Sequence, residues 1–250
     1  MKKFILFFVL ALAAKAAKAQ GGYNYYEFGI GGGIGYGKGF TDLKRQDYHP
    51  AFNINIVYNY NPYLPIALEF QVGTLSGGGR TPDKDGFGRQ YKNNYKALIL
   101  HADILAGDVI DYSDSKFLNA VKNFYAGTGI GAINNKMTDI QRTNLPLYIQ
   151  NGPVGSTIGF EGKDKSVELL IPLRFGYEFK IYDSYEEPTY AIIIGYQHNI
   201  TFGEGLDGYN DRPDKFKNNA IDHYTQLSIG FKYNFGNTVS YNKPIRYFKY

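Results

Sequence analysis

The feature that most constrains this chain is an alternation of apolar and polar residues with period two, recurring in long stretches from residue 26 to residue 235. In 167–179, Leu169, Ile171, Leu173, Phe175, Tyr177 and Phe179 alternate with Glu168, Leu170, Pro172, Arg174, Gly176 and Glu178. Successive side chains of a strand point to opposite faces, so this segment presents one apolar and one mixed polar face. The same pattern recurs in 26–36, 52–60, 66–73, 95–105, 190–202 and 224–235. Residues 124–134 are rich in glycine, and the pattern alone does not settle their facing. About eight strands result, most of them near the roughly 9–11 residues that a tilted strand needs to cross a bilayer. Strands of soluble sandwiches are typically about 5–6 residues long. The fold class predicted is all-β: an antiparallel up-and-down transmembrane barrel of about eight strands. Pro172 cannot donate a ladder hydrogen bond, so a bulge is expected there.

Composition supports the reading by exclusion. The chain has 30 Gly, 24 Tyr and 18 Phe but no Cys, which rules out a disulfide framework and thiolate metal sites. The formal charge of +4 resides in Lys2, Lys3, Lys15 and Lys18. The 27 basic residues less those four lysines leave 23, matching the 23 acids, so no nucleic-acid partner is expected. Those lysines flank the apolar run Phe4 to Ala14, followed by Ala17-Lys18-Ala19. A basic start, a short apolar run and small residues before a cleavage point predict a secretory signal peptide over 1–19. The predicted organisation is then a barrel over 20–235 and a periplasmic tail over 236–250.

The connections alternate in length. Segments 37–51, 76–93, 135–166 and 203–223 read as long polar loops, and 61–65, 106–123 and 180–189 as shorter links. Long loops outside and tight turns in the periplasm are the asymmetry of outer-membrane barrels. Within 106–123, Asp114 is the expected N-cap of a short periplasmic helix over 115–122, with Phe117, Leu118 and Val121 as its apolar side. Tyr26, Tyr60, Tyr63, Tyr177, Phe179, Tyr233 and Phe235 are expected to form an aromatic girdle at the periplasmic interface.

The last strand reads Ser228-Ile229-Gly230-Phe231-Lys232-Tyr233-Asn234-Phe235. Gly230, Tyr233 and Phe235 resemble the signal by which the barrel-assembly machinery recognises outer-membrane proteins, although here residues 236–250 follow the final Phe. With its strand count and loop asymmetry, the chain resembles the small outer-membrane barrels of Gram-negative bacteria, akin to the OmpA transmembrane domain, OmpX and OmpW. The resemblance implies residence in the outer membrane with periplasmic termini. It also implies contact with outer-membrane lipids and lipopolysaccharide, and engagement of the assembly machinery during biogenesis. It carries no residue of known activity.

Chemistry motifs are incomplete. Gly32 to Lys38 fits the GxxxxGK spacing, but Gly39 stands where a phosphate loop needs Ser or Thr, and no helix pattern follows. His223-Tyr224-Thr225 approaches the His-x-Ser pair of lipid A deacylases of the PagL type, with Asp222 expected on the opposite face. Leu206 to Asp211 is rich in oxygen ligands but lacks EF-hand spacing and reads as a solvated loop. No metal site and no cofactor are expected.

The predicted functional cluster is a network of charges in the lumen: Glu27, Glu69, Asp103, Arg174, Glu178 and Lys232. Arg174, whose planar fork can hold two carboxylates, is the expected hub, and Glu27–Lys232 the expected cross-strand pair between the first and last strands. Eight strands leave an interior just wide enough for side chains to fill it. The expected role is therefore structural or surface-interacting, with an envelope protein partner meeting the loops or the tail. The alternatives are a lipid A-modifying enzyme and a narrow channel for small solutes.

Overall fold

The computed structural model describes residues 23–81, 83–112, 115–143, 160–210 and 221–242. The predicted signal segment and most of the predicted tail lie outside them. Eight strands follow one another: β1 (Tyr23–Phe40), β2 (Gln46–Asn61), β3 (Leu64–Gly78), β4 (Gln90–Leu105), β5 (Phe124–Ile140), β6 (Lys165–Tyr182), β7 (Pro188–Thr201) and β8 (His223–Tyr241). Each pairs antiparallel with the next, and β8 pairs with β1, so the sheet closes on itself. Closure removes the unpaired edges that an open sheet would leave.

Parity sorts the side chains. Ile30, Ile54, Ile56, Leu98, Leu169, Phe175, Ile229 and Phe231 all point outward, each at least half exposed. A chain that leaves so many large apolar residues uncovered, in rows on every strand, is stable only where the surroundings are themselves apolar. β5 resolves in the same way: Phe124 and Ile130 face out, while Tyr125, Ile133 and Asn135 are buried inside. Inward glycines make room for larger neighbours. A Cβ at Gly29 would lie 2.8 Å from Asn234 Oδ1, and one at Gly73 would lie 2.7 Å from the Tyr95 ring.

Several sequence expectations are corrected. The strands run well beyond the apolar belt, so the link after β1 is only residues 41–45 rather than 37–51. β8 does not stop at Phe235: Thr238, Val239 and Ser240 pair with Tyr26, Tyr25 and Asn24. A bulge on β8, where Gly236 (φ 103°) and Asn237 together stand opposite Glu27, shifts the register there and breaks the alternation that marked the strand. The expected bulge at Pro172 is absent. β6 keeps one register on both sides, Pro172 lies opposite Asn199, and its carbonyl accepts from Thr128 Oγ1 at 2.9 Å. The helix α1 (Lys116–Val121) is capped by Ser115, whose side chain accepts from Leu118 N, so the cap is not Asp114. Leu118 packs inward as expected, whereas Phe117 is exposed. Tyr63 leaves the girdle entirely: it is fully buried, with its hydroxyl 2.6 Å from that of Tyr112.

The remaining girdle is built at the same end. Phe28, Tyr58, Phe124, Tyr177, Phe179, Tyr190, Tyr233 and Phe235 contact one another through their rings, with Phe124–Tyr177 at 4.7 Å and Tyr233–Phe235 at 5.9 Å. Amphipathic rings at this level suit a boundary between lipid and water.

The belt defines a first test. Ile171 lies between Leu169 and Leu173 on the outer face of β6, so Ile171→Arg is expected to cost about 2–4 kcal/mol of folding free energy in lipid. Urea titration of the protein in vesicles, read by loss of heat-modifiable migration on gels, measures it. Wild-type stability for the variant would contradict the facing.

Candidate functional site: the charged lumen and its two lids

The inward parity of β3, β4, β6, β7 and β8 brings most of the predicted charges together. Arg174 on β6 donates through Nε to Asp103 Oδ1 on β4 at 3.0 Å. Its Nη1 lies 3.4 Å from Glu69 Oε2 on β3 and also donates to Gln197 on β7. Four strands thus meet at one guanidinium, whose planar array of donors suits several oxygen acceptors at once. Around it, Gln71 donates to Glu69, Gln197 donates to Asn199 at 2.7 Å, and Tyr224 donates to Gln71 at 3.2 Å. His101 lies with Nδ1 3.4 Å from Asp103 and Nε2 3.9 Å from Glu69. The alternation marked His101 and Asp103 as inward neighbours, whereas Gln71, Gln197 and Asn199 needed the register between strands to connect them.

A second pair sits nearer the end that carries α1. Lys232 Nζ is 2.7 Å from Glu178 Oε1, both side chains being almost wholly buried. This corrects the expected Glu27–Lys232 pair. Lys232 lies opposite Gly31, while Glu27, four residues away on β1, faces the β8 bulge and accepts from Asn237 Nδ2 at 3.4 Å. Lys180, which the sequence reading placed in a turn, is on β6; it donates to Pro62 O at 2.6 Å and lies over the Tyr63 ring.

Two apolar lids bracket the polar middle. At the α1 end, Tyr63, Leu105, Tyr112 and Tyr125 pack together with Ile110 and Leu118 against them. At the loop end, Leu43, Leu75, Tyr91, Tyr95, Phe160, Leu206 and Tyr209 belong to one buried cluster. Residues 206–209 are therefore not the solvated loop expected: Leu206 and Tyr209 are buried, and the Tyr209 hydroxyl donates to Gln90 O at 2.9 Å and Gln141 O at 2.7 Å. No cluster of three potential metal ligands occurs among the described residues. The deacylase-like trio does not converge. His223 stacks on Phe40 at 5.0 Å and lies beside His198, whereas Asp222 is buried and accepts from Leu206 N.

Asp207 and Asp222 are buried together under the loop-end lid. Burial pushes both carboxyls up, Asp207 to about 7 and Asp222 to about 10, and the mutual charge with Glu204 and Asp42 nearby works the same way. The nearest cation, Arg89, pulls Asp207 back down and is itself paired with Asp85 at 3.3 Å. Raised values in the folded state mean that the lid is most stable below the unfolded carboxylate range and weakens as pH rises through about 7 and above. Proteolysis or hydrogen exchange of residues 202–210 is expected to accelerate between about pH 6 and 9. Asp222→Asn should flatten that dependence, and an unchanged profile in the variant would contradict the assignment.

A closed barrel with an apolar outside, a polar inside and an aromatic girdle is an outer-membrane β-barrel protein, and the outer membrane is where this chain resides. No protein-family profile matches the sequence, and no curated protein matches it. Among solved structures the chain is similar to Neisserial surface protein A, at 10% identity and a TM-score of 0.45, covering 86% of this chain and 100% of that one. Ail of Yersinia pestis, solved with the heparin analogue sucrose octasulfate, is similar at 12% identity and a TM-score of 0.42, with 86% and 100% covered. OprG from Pseudomonas aeruginosa gives 12% and 0.36, with 86% and 99% covered. Values in this range describe architecture, and no function passes across them.

Proposed function

We propose that this outer-membrane barrel is a structural or surface-interaction protein of the envelope, with its lumen closed by side chains rather than open to solutes. The observation that carries this reading is Arg174, which reaches from β6 to Asp103, Glu69 and Gln197 across the interior. The cavity beside it is about 40 Å³ and the one beside Glu178 and Lys232 about 10 Å³. Such volumes hold a water or two, not a hydrated ion in transit. An ion crossing the barrel would also have to part the Tyr63–Tyr112 and Tyr95–Tyr224 contacts. The loops beyond the loop-end lid are then the surfaces left for an envelope partner, with outer-membrane lipid and lipopolysaccharide around the belt.

Single-channel recording in planar bilayers tests the reading. The unmutated protein should give no steady conductance. Arg174→Ala should leave buried carboxylates unpaired, destabilise the barrel by roughly 3–5 kcal/mol and open a leak. A large steady conductance before mutation would replace this reading with the channel.

Export by the segment 1–19 and recognition of the last strand by the assembly machinery belong to the same proposal. Tyr233 and Phe235 project outward at the girdle, and Gly230 faces Gly33 across the β1–β8 seam. Tyr233→Ala with Phe235→Ala is expected to lower the folded fraction recovered from outer membranes in pulse-chase experiments and to raise periplasmic degradation. Recovery equal to wild type would move the signal elsewhere.

A further inference from the structure

The outer face of the barrel is not uniform above the apolar belt. On β4, β5 and β6 the outward row Leu98–Ala132–Leu169 is followed by Lys96–Asn134–Val167 and then by Asn94–Lys136–Lys165. Lys92 follows on β4, beyond Asn94. All four lysines are exposed. Lys136 lies directly opposite Lys165 in the β5–β6 ladder. It lies opposite Asn94 in the β4–β5 ladder, which puts Lys96 diagonal to it, while Lys92, beyond a register shift, stands opposite Asp139.

Like charges directly opposite on one face of a sheet oppose each other, with Cβ atoms only about 5 Å apart. None of the four lysines makes an ion pair among the described residues. Asp139, the ladder partner of Lys92, accepts from Gln90 Nε2 at 2.9 Å. Asp164 is engaged by Arg142. On β1 the outward Lys38 is handled differently, lying over the rings of Phe40 and Tyr48. Lys96, Lys136 and Lys165 therefore form a basic patch that the fold holds together and leaves without an ion pair, with Lys92 beside it facing Asp139. Its height matters as much as its sign. It begins one pleat beyond the Leu98–Ala132–Leu169 row, at the edge of the apolar belt.

We propose that the outer faces of β4, β5 and β6 form a binding site for the phosphate-bearing headgroup of a membrane lipid, with Lys136 and Lys165 at its centre and Lys96 at its side. This rests on the barrel spanning a membrane, and it names the lipid contact left general above. Charge complementarity selects a lipid over a protein partner. The patch is continuous with the acyl-chain surface formed by Leu98, Ile130 and Leu169, so one molecule can place its chains on the belt and its phosphates on the lysines.

The test uses the full-length protein folded into phosphatidylcholine vesicles, with and without a bis-phosphorylated glycolipid. The lipid retained after mild extraction is counted by native mass spectrometry. Wild type is expected to retain the glycolipid in preference to phosphatidylcholine, with the preference falling as salt is raised. Lys96→Gln, Lys136→Gln and Lys165→Gln together should cut that preference by roughly tenfold or more. The matching triple Arg variant should keep it, and Lys44→Gln, a charge removal in the 41–45 turn, should leave it unchanged. Heat-modifiable migration of each variant separates the two readings. A folded, inserted triple Gln variant with undiminished preference overturns the lipid site alone, whereas failure of wild type to insert overturns the membrane barrel and the site with it.

Discussion

The pairing of β8 with β1 is the constraint on which everything else depends. In hydrocarbon each unpaired backbone N–H or C=O costs several kcal/mol, so a spanning sheet must have no edge. The seam runs from Phe40–His223 at one end to Tyr23–Tyr241 at the other, longer than the last apolar alternation implies. Its middle is lined by Gly29, Gly31, Gly33 and Gly35, whose missing side chains let inward groups such as Asn55 and Asn234 occupy the space. A wall of larger residues along β1 would displace those groups and crowd the interior that closure creates.

Closure fixes the interior volume, and the interior chemistry follows from it. Charges pointing into so narrow a space lose water from every side, so they persist only when paired and hydrogen-bonded. Arg174 with Asp103 and Glu69, and Lys232 with Glu178, meet that requirement. Both clusters sit in the middle of the lumen, between two lids rich in tyrosine. A tyrosine suits a lid because its ring packs against apolar neighbours while its hydroxyl satisfies a nearby polar group, as Tyr209 does with two carbonyls and Tyr63 with Tyr112.

The solvent outside changes along the axis, and the meaning of the alternation changes with it. Within the belt, apolar residues face out and polar residues face in. Above it, Tyr91 and Tyr95 face in while Lys92 and Lys96 face out, the pattern of a strand in water around a dry core. A reading that assigns apolar residues to the lipid side throughout ends β4 too early, and it mistakes the Leu206–Tyr209 lid for a solvated loop. The same inversion turns the lysines of β4–β6 outward beyond the belt.

The sequence by itself determined the architecture and most of the lumen cluster. Alternation over membrane-spanning lengths admits few folds, and parity alone turns Glu69, Asp103, Arg174, Glu178 and Lys232 inward. Tertiary structure decided the partners, because the distance between inward side chains depends on register and on the angular position of each strand around the barrel. The β1–β8 register sets Lys232 opposite Gly31, four residues from Glu27 along β1, and Glu178, two strands away from β8 across β7, became its partner instead. The lids, too, belong to tertiary structure alone: Phe160, Leu206 and Leu43 come from three different connections, and only the closed ring brings them over one opening.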